Sequence, residues 1–380
     1  MRELLRELWA VRNPSREIPL VAVTLLMSLA LILLPTVKEN PTLEGTERVR
    51  ALVLEVDDSQ AHRIGFVHVG TQAVRAKILD GRFAGIETWA TNHYKGVLEI
   101  DKEFRPGDVA FGVVNAAGDR IVHVNLLDHY RLDALATLLA LFAASLTLLA
   151  GWTGFKALTS FVFIALLIWK GFLPMILMGL NPIPLALLTV AVISASASLS
   201  AGGVSRRGLV ALGGCVSGMI LTCALSILFG KALKIHGAVM PFTETLLHSG
   251  FGHLDLTSLF LASTFVACSG AIVDVAIDIS ASQEEVAKAN PSVGRLGLLL
   301  SGLSVSKSVI SSMSNTLLLA YSGSYMGLLL SLNALGIPAY NILNLRHVAA
   351  EILHTLVGSL GMIWVAPLTS LIGSLSFLRK

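Results

Sequence analysis

The sequence predicts an α-helical integral membrane protein of about eight transmembrane helices, with a small β-barrel or sandwich domain inserted after the first. Three observations carry this reading. Hydrophobic residues fill 54% of the 380 positions and charged ones only 14%, where a soluble domain carries about 25% charge. The charges are unevenly spread: residues 36–131 hold 12 Lys/Arg and 14 Asp/Glu, while the much longer stretch 132–380 holds 12 and 8. Within that second stretch apolar runs of about 20 residues recur, the length that crosses a hydrocarbon core. A soluble enzyme is excluded by this composition.

The first element is an anchor. Arg2, Arg6, Arg12 and Arg16 precede an apolar run over 18–34 that ends in Leu33-Leu34-Pro35-Thr36-Val37, without the small residues of a cleavage site. Residues 1–35 therefore read as a cytoplasmic N-terminus and uncleaved signal-anchor helix, oriented by the positive-inside rule. Residues 36–131 follow on the extracytoplasmic side. Alternating runs at 48–56 and 74–79, a turn at Arg105-Pro106-Gly107-Asp108 feeding another strand, and 121–126 give five or six short strands, enough for a small barrel or sandwich.

Residues 132–380 read as a helical bundle with spans near 132–150, 157–180, 183–201, 208–230, 255–279, 314–336 and 347–373. With the anchor these make eight, which puts both termini in the cytoplasm. Lys156, Arg206, Arg207, Lys288, Arg295, Arg379 and Lys380 fall on that side, whereas Lys231, Lys234 and Arg346 fall on the other. Lys170, Gly171 and Pro174, then Asn181-Pro182-Ile183-Pro184, predict a kink or two half-helices. For 292–312 the serine-rich pattern leaves a re-entrant or interfacial helix open beside a span.

The residues that carry chemistry are few. Asp274 and Asp278 lie four apart on one helix face, and acids inside a membrane usually mark an ion or proton path. Asn315, in Met313-Ser314-Asn315-Thr316-Leu317, needs partners for its amide, and Asp274 is the expected one. Lys307 precedes this run. His347, Glu351 and His354 share a stripe on the last span, a spacing open to metal binding or proton relay as well as to an interfacial polar stripe. Glu244, His248, His253 and Asp255 form a weaker metal candidate, since their spacing is loose. Cys215, Cys223 and Cys268 lie in apolar runs without CxxC spacing and read as packing residues. No nucleophile elbow, HExxH, P-loop or dinucleotide fingerprint occurs. Neither an enzyme nor a cofactor is expected, and no basic patch points to nucleic acid.

The run 269–280, with Asp274, followed by 313–321, by Glu351-Ile352-Leu353 with Gly358-Ser359-Leu360-Gly361, and by Ala366-Pro367-Leu368-Thr369, resembles the YibE/F family of bacterial multi-pass membrane proteins. The resemblance extends to the order of anchor, β domain and bundle, so it takes in nearly the whole chain. Before Met313 the sequence departs from it. Where the family often reads Gly-Arg-Asp-x-x-Gly-Thr-Met, this chain has Ser306, Lys307, Ser308, Ser311 and Ser312, keeping the basic position and losing the acid. The resemblance implies an inner-membrane location and no particular activity.

Two functions are expected on these grounds. The first is a transporter or permease for a small solute or ion, in which Asp274, Asn315 and Glu351 form a midplane polar site. The alternative is a non-transporting envelope assembly factor whose β domain binds a partner protein or polymer, the membrane polar groups being structural glue. The bilayer is the obligate partner, an oligomer is open, and Arg295 and Lys307 offer a docking place for a cytoplasmic partner such as an ATPase.

Overall fold

The structure, a computed structural model, describes residues 14–34 and 46–377. Arg2, Arg6, Arg12, Arg379, Lys380 and the first ten residues of the expected β domain lie outside the described residues. The chain divides into two compact units: Lys38–Ser145, and Met1–Val37 together with Leu146–Lys380.

The first unit is built on β1 (Thr46–Ile64), β2 (Val67–Ile78), β3 (Glu87–Lys95), β4 (Val109–Ala117) and β5 (Arg120–His129). They close into a barrel in the order β1-β2-β3-β5-β4, a five-stranded barrel of the OB type. All neighbours are antiparallel except β3 and β5, which meet in parallel at Thr91 and Asn125. Alternation along the strands turns Val49, Ala51 and Val53 inward from β1 and Val74, Ala76 and Ile78 inward from β2. Two amides sit fully buried in this core. Asn92 Nδ2 donates to Gln72 Oε1 at 3.0 Å, and Gln72 Nε2 donates to the Phe104 carbonyl at 3.1 Å. This network pins the loop before β4 across the barrel. At the rim the backbone N–H and the Nε of Arg50 each donate to Asp80 at 2.7 Å. Burial works against the Asp80 carboxylate, and these donors overcome it, holding it below its ordinary value.

The helices begin with α1 (Pro14–Leu33) in the second unit, and the next helix, α2 (Leu132–Leu166), starts within the first unit and passes into the second after Ser145. Then come a π-helical turn at Leu167–Phe172, α3 (Leu173–Leu177), α4 (Pro182–Gly202), α5 (Arg206–Ala232), the short α6 (Thr243–His248), α7 (Leu256–Ala289), α8 (Arg295–Ser324), the short α9 (Met326–Ala334) and α10 (Ala339–Asn344), and α11 (Arg346–Ser376). Six helical runs among the described residues are long and apolar enough to cross a membrane: Leu132–Leu177, Pro182–Gly202, Arg206–Ala232, Leu256–Ala289, Arg295–Ser324 and Arg346–Ser376. Glu17–Leu33 is a shorter apolar helix.

Small residues set how α5, α7, α8 and α11 meet. A Cβ added at Gly358 would stand 3.0 Å from Cys268 and 3.2 Å from Leu317; one at Gly361 would meet Thr222 and Ile272, and one at Gly373 would meet Gln283. Partners on α7 thus advance as α11 advances, and those on α8 retreat, so α7 and α11 run parallel with α8 antiparallel to both. Gly214 against Thr369 and Gly218 against Val365 make α5 antiparallel to α11. Such contacts suit a bundle in lipid, where close van der Waals approach replaces the hydrophobic drive between helices. Gln283, fully buried, ties three of these helices by donating from Nε2 to the carbonyls of Leu298 and Ser370, both at 2.9 Å.

The expected spans 132–150 and 157–180 appear as two helices that meet at a kink at Gly151 (φ 54°, ψ −130°) with no loop between them. Gly154 there approaches the Leu146 carbonyl, a neighbour about 12 Å away in an unbroken helix at 1.5 Å per residue. The eight expected spans therefore appear as six long runs and one shorter helix. Residues 295–312 open α8 (Arg295–Ser324) without a break, and the expected span 314–336 is divided between α8 and α9. Residues from Arg295 onward belong to α8, because Gly302 and the buried Ser306, whose Oγ donates to the Gly302 carbonyl at 2.7 Å, let it pass close to Gln283 and Ser370. The expected break near Lys170 is present as the π turn, and Asn181 caps α4 by accepting from the Ile183 N–H at 3.1 Å.

Gly361→Val is expected to lower the melting temperature of the detergent-solubilised protein, since overpacking of this kind costs about 1–3 kcal/mol. Gly270→Ala, where a Cβ meets nothing within 4 Å, should leave it unchanged or slightly higher. Equal melting of the two variants would contradict the close approach.

Candidate functional site

The opening turns of α11 place Glu351 and His354 one helical turn apart on one face. The His354 ring is held between Phe260 of α7, stacked at 4.6 Å between centroids, and Tyr321 of α8 at 5.7 Å. Its Nδ1 lies 3.7 Å from Glu351 Oε1 and its Nε2 3.5 Å from Ser263 Oγ. The two side chains are only 16% (Glu351) and 11% (His354) exposed. The second carboxylate oxygen, Glu351 Oε2, is buried without a hydrogen-bond partner, and so is the Tyr321 hydroxyl. The Tyr325 hydroxyl is a further hydrogen-bonding partner of the carboxylate.

These groups border a cavity of about 180 Å³ between α8, α9 and α11. Its walls are otherwise mainly aliphatic, with Val348, Ile352 and Leu328 inside and Leu356, which is 58% exposed, at the mouth. Buried polar groups are normally paired, so two orphaned oxygens at one cavity mark a place arranged for a ligand more than for stability. Larger clefts occur elsewhere, about 600 Å³ beside Arg206, Glu284 and Lys288 and about 440 Å³ beside His93, Lys95 and Lys102, but neither is bordered by an unpartnered buried oxygen.

The structure does not bring the expected midplane residues together. With Cys268 opposite Gly358 and Ile272 opposite Gly361, Asp274 lies about 18 Å further along the bundle than Glu351, at 1.5 Å per residue. It is also turned about 200° round α7 from Ile272 at 100° per residue. Asp274 and Asp278 are both exposed on the protein surface. Asp274 lies within electrostatic range of the Cys215 thiol, which the buried hydroxyls of Ser194 and Ser198 flank. Asn315 is exposed and makes no hydrogen bond to Asp274 among the described residues, and Lys307 is exposed.

The metal readings separate in the same way. His347 turns off the Glu351 stripe to donate from Nδ1 to the Val239 carbonyl at 3.1 Å. Asp255 caps α7, accepting from the N–H groups of Thr257 and Ser258 at 3.0 and 3.1 Å, and His253 lies 3.3 Å from the Leu177 carbonyl. Among the described residues no three His, Cys, Asp or Glu side chains converge on a metal position. The sequence reading missed Tyr321, Tyr325 and Ser263. Tyr321 and Tyr325, one turn apart near the end of an apolar helix, were the available signal.

Helices of this length and apolarity, joined around a half-hidden carboxylate, define a multi-pass membrane protein. The chain belongs to the YibE/F-like protein family, whose model matches residues 138–379. That match begins inside α2, so α1 and the barrel fall outside it, a narrower likeness than the near-whole-chain resemblance in architecture. No curated protein and no solved structure matches the chain.

Glu351→Leu is expected to raise the melting temperature, because it replaces an incompletely paired buried carboxylate with an apolar group among aliphatic walls, and an unsatisfied buried polar group costs about 1–3 kcal/mol. A lowered melting temperature would mean that Glu351 is a structural partner and not a ligand group.

Proposed function

We propose that this chain is a membrane transporter or permease whose solute enters the cavity at Glu351. The observation that carries the reading is the pair of buried, unpartnered oxygens, Glu351 Oε2 and Tyr321 Oη, at a cavity between spanning helices. An intramembrane acid kept without a full set of partners is costly and belongs to a solute or ion path. Asp274, within electrostatic range of the Cys215 thiol, is assigned the coupling proton or ion. The bend at Gly151 divides Leu132–Leu177 into legs of about 19 and 26 residues, each long enough to cross the hydrocarbon core. Two crossings there, with α1 as a further span, give eight. With eight spans both termini lie in the cytoplasm of a bacterial inner membrane and the barrel outside, a reading supported by Arg206, Arg207, Lys288 and Arg295, which then fall on the cytoplasmic side. In domain terms, 1–35 is the anchor, 36–131 the external β domain and 132–380 the transport bundle.

The full-length protein in proteoliposomes, screened over a panel of small solutes with and without a proton gradient, is expected to show saturable uptake. Glu351→Gln should lower it at least about tenfold, equivalent to about 1.4 kcal/mol. Unchanged flux in that variant, or no flux above empty vesicles for any solute, would overturn the reading. The alternative, an envelope assembly factor, is favoured by the tip of the β1–β2 hairpin, where Phe66 is 88% and Ile64 64% exposed. A stoichiometric partner retained by the full-length protein and lost on Phe66→Ser would support that alternative.

A further inference from the structure

Resting on the assignment of the Glu351 cavity as the solute site, we propose that its ligand is an amphiphile with a single positively charged, hydrogen-bond-donating head and a hydrocarbon tail, and that it enters sideways from the bilayer. Three features of the cavity select this class. The polar end is centred on an acid. Glu351 Oε2 has no partner within close hydrogen-bond distance, its other oxygen lies 3.7 Å from His354 Nδ1, and the Tyr325 side chain interacts with the carboxylate, with Tyr321, Ser322 and Thr355 also along the lining. An ammonium head supplies the missing donor and charge and is attracted to aromatic faces. A carboxylate or phosphate head would meet an acid with no Lys or Arg along the lining.

The walls are apolar and lead outward to the lipid-facing surface. Leu318, Leu329 and Leu356 line the cavity while remaining 50%, 40% and 58% exposed on the outside of the helices, where the solvent is hydrocarbon. A hydrophilic solute approaching this way would have to leave water first. Size agrees with partial enclosure. About 180 Å³ accommodates roughly six groups of a water molecule's volume, ~30 Å³ each, which is a head and the first carbons, so a longer tail must remain in the membrane.

The test uses the full-length protein in lipid nanodiscs with dodecylammonium, dodecanol, dodecanoate and methylammonium as probes, empty nanodiscs being subtracted. Saturable binding is read by calorimetry and by the rise in melting temperature. Dodecylammonium is expected to bind at least about tenfold more tightly than the other three. Glu351→Gln should remove that preference, and Ile352→Trp, which fills the cavity and leaves the carboxylate, should weaken dodecylammonium equally. Equal binding of dodecanol, tighter binding of dodecanoate, methylammonium matching dodecylammonium, or no saturable binding would each overturn the proposal. Binding without flux in proteoliposomes would overturn the transporter reading alone. Flux of a hydrophilic solute that dodecylammonium does not inhibit would overturn this inference alone.

Discussion

Backbone-close contact between helices is the constraint on which the bundle depends. Lipid surrounds a spanning helix with a medium as apolar as its own leucines, so association needs close packing and cross-helix hydrogen bonds. Gly214, Gly218 and Gly230 on α5 and Gly358, Gly361 and Gly373 on α11 provide the first. Gln283 provides the second, at the far end of the parallel pair α7 and α11. These contacts leave one register for the helices, and in that register Phe260, Ser263 and Tyr321 surround the His354 ring and Glu351 faces α9. The cavity follows from the packing, and no loop has to form it.

The chain treats two buried acids differently. Glu17 on α1 accepts from Trp152 Nε1 at 2.7 Å and Lys156 Nζ at 3.3 Å, with the Lys156 side chain 9% and the Glu17 side chain 14% exposed. Removing one partner of such a pair typically costs about 3–5 kcal/mol, so this arrangement ties the first helix to the bundle. Glu351 is buried to a similar extent, and one of its oxygens has no partner. The Glu17 carboxylate is completed within the chain. The incomplete one lies at a cavity, which is the physical reason for assigning it to a ligand.

Much of the architecture was legible because it follows from composition and periodicity. The charge contrast separated the barrel from the bundle, alternation located β1, β2, β4 and β5, and Asn181 with its prolines marked the start of α4. Legibility ended where a backbone conformation or a neighbour decided the outcome. The bend at Gly151 depends on one positive φ within an otherwise uniform apolar run. The serines before Met313 look like an interruption in a one-dimensional pattern, yet Gly302 and Ser306 are what allow α8 to continue against Gln283. For the site, Glu351 and His354 were visible as a stripe, whereas the tyrosines that complete the cavity come from another helix. Asp274 and Asn315 seemed a natural pair by chemistry alone, yet both are exposed and no hydrogen bond joins them among the described residues.

The account stands on Glu351 being an acid reached through hydrocarbon and not through water. Carbodiimide labelling of the full-length protein in bilayers, quantified by mass spectrometry, tests this directly. A membrane-soluble carbodiimide should modify Glu351 well ahead of Glu284 and Glu285, which lie at the opposite end of the parallel pair, while a water-soluble cationic carbodiimide should modify those two and spare Glu351. Rapid modification of Glu351 by the water-soluble reagent, or none by the membrane-soluble one, would contradict the account.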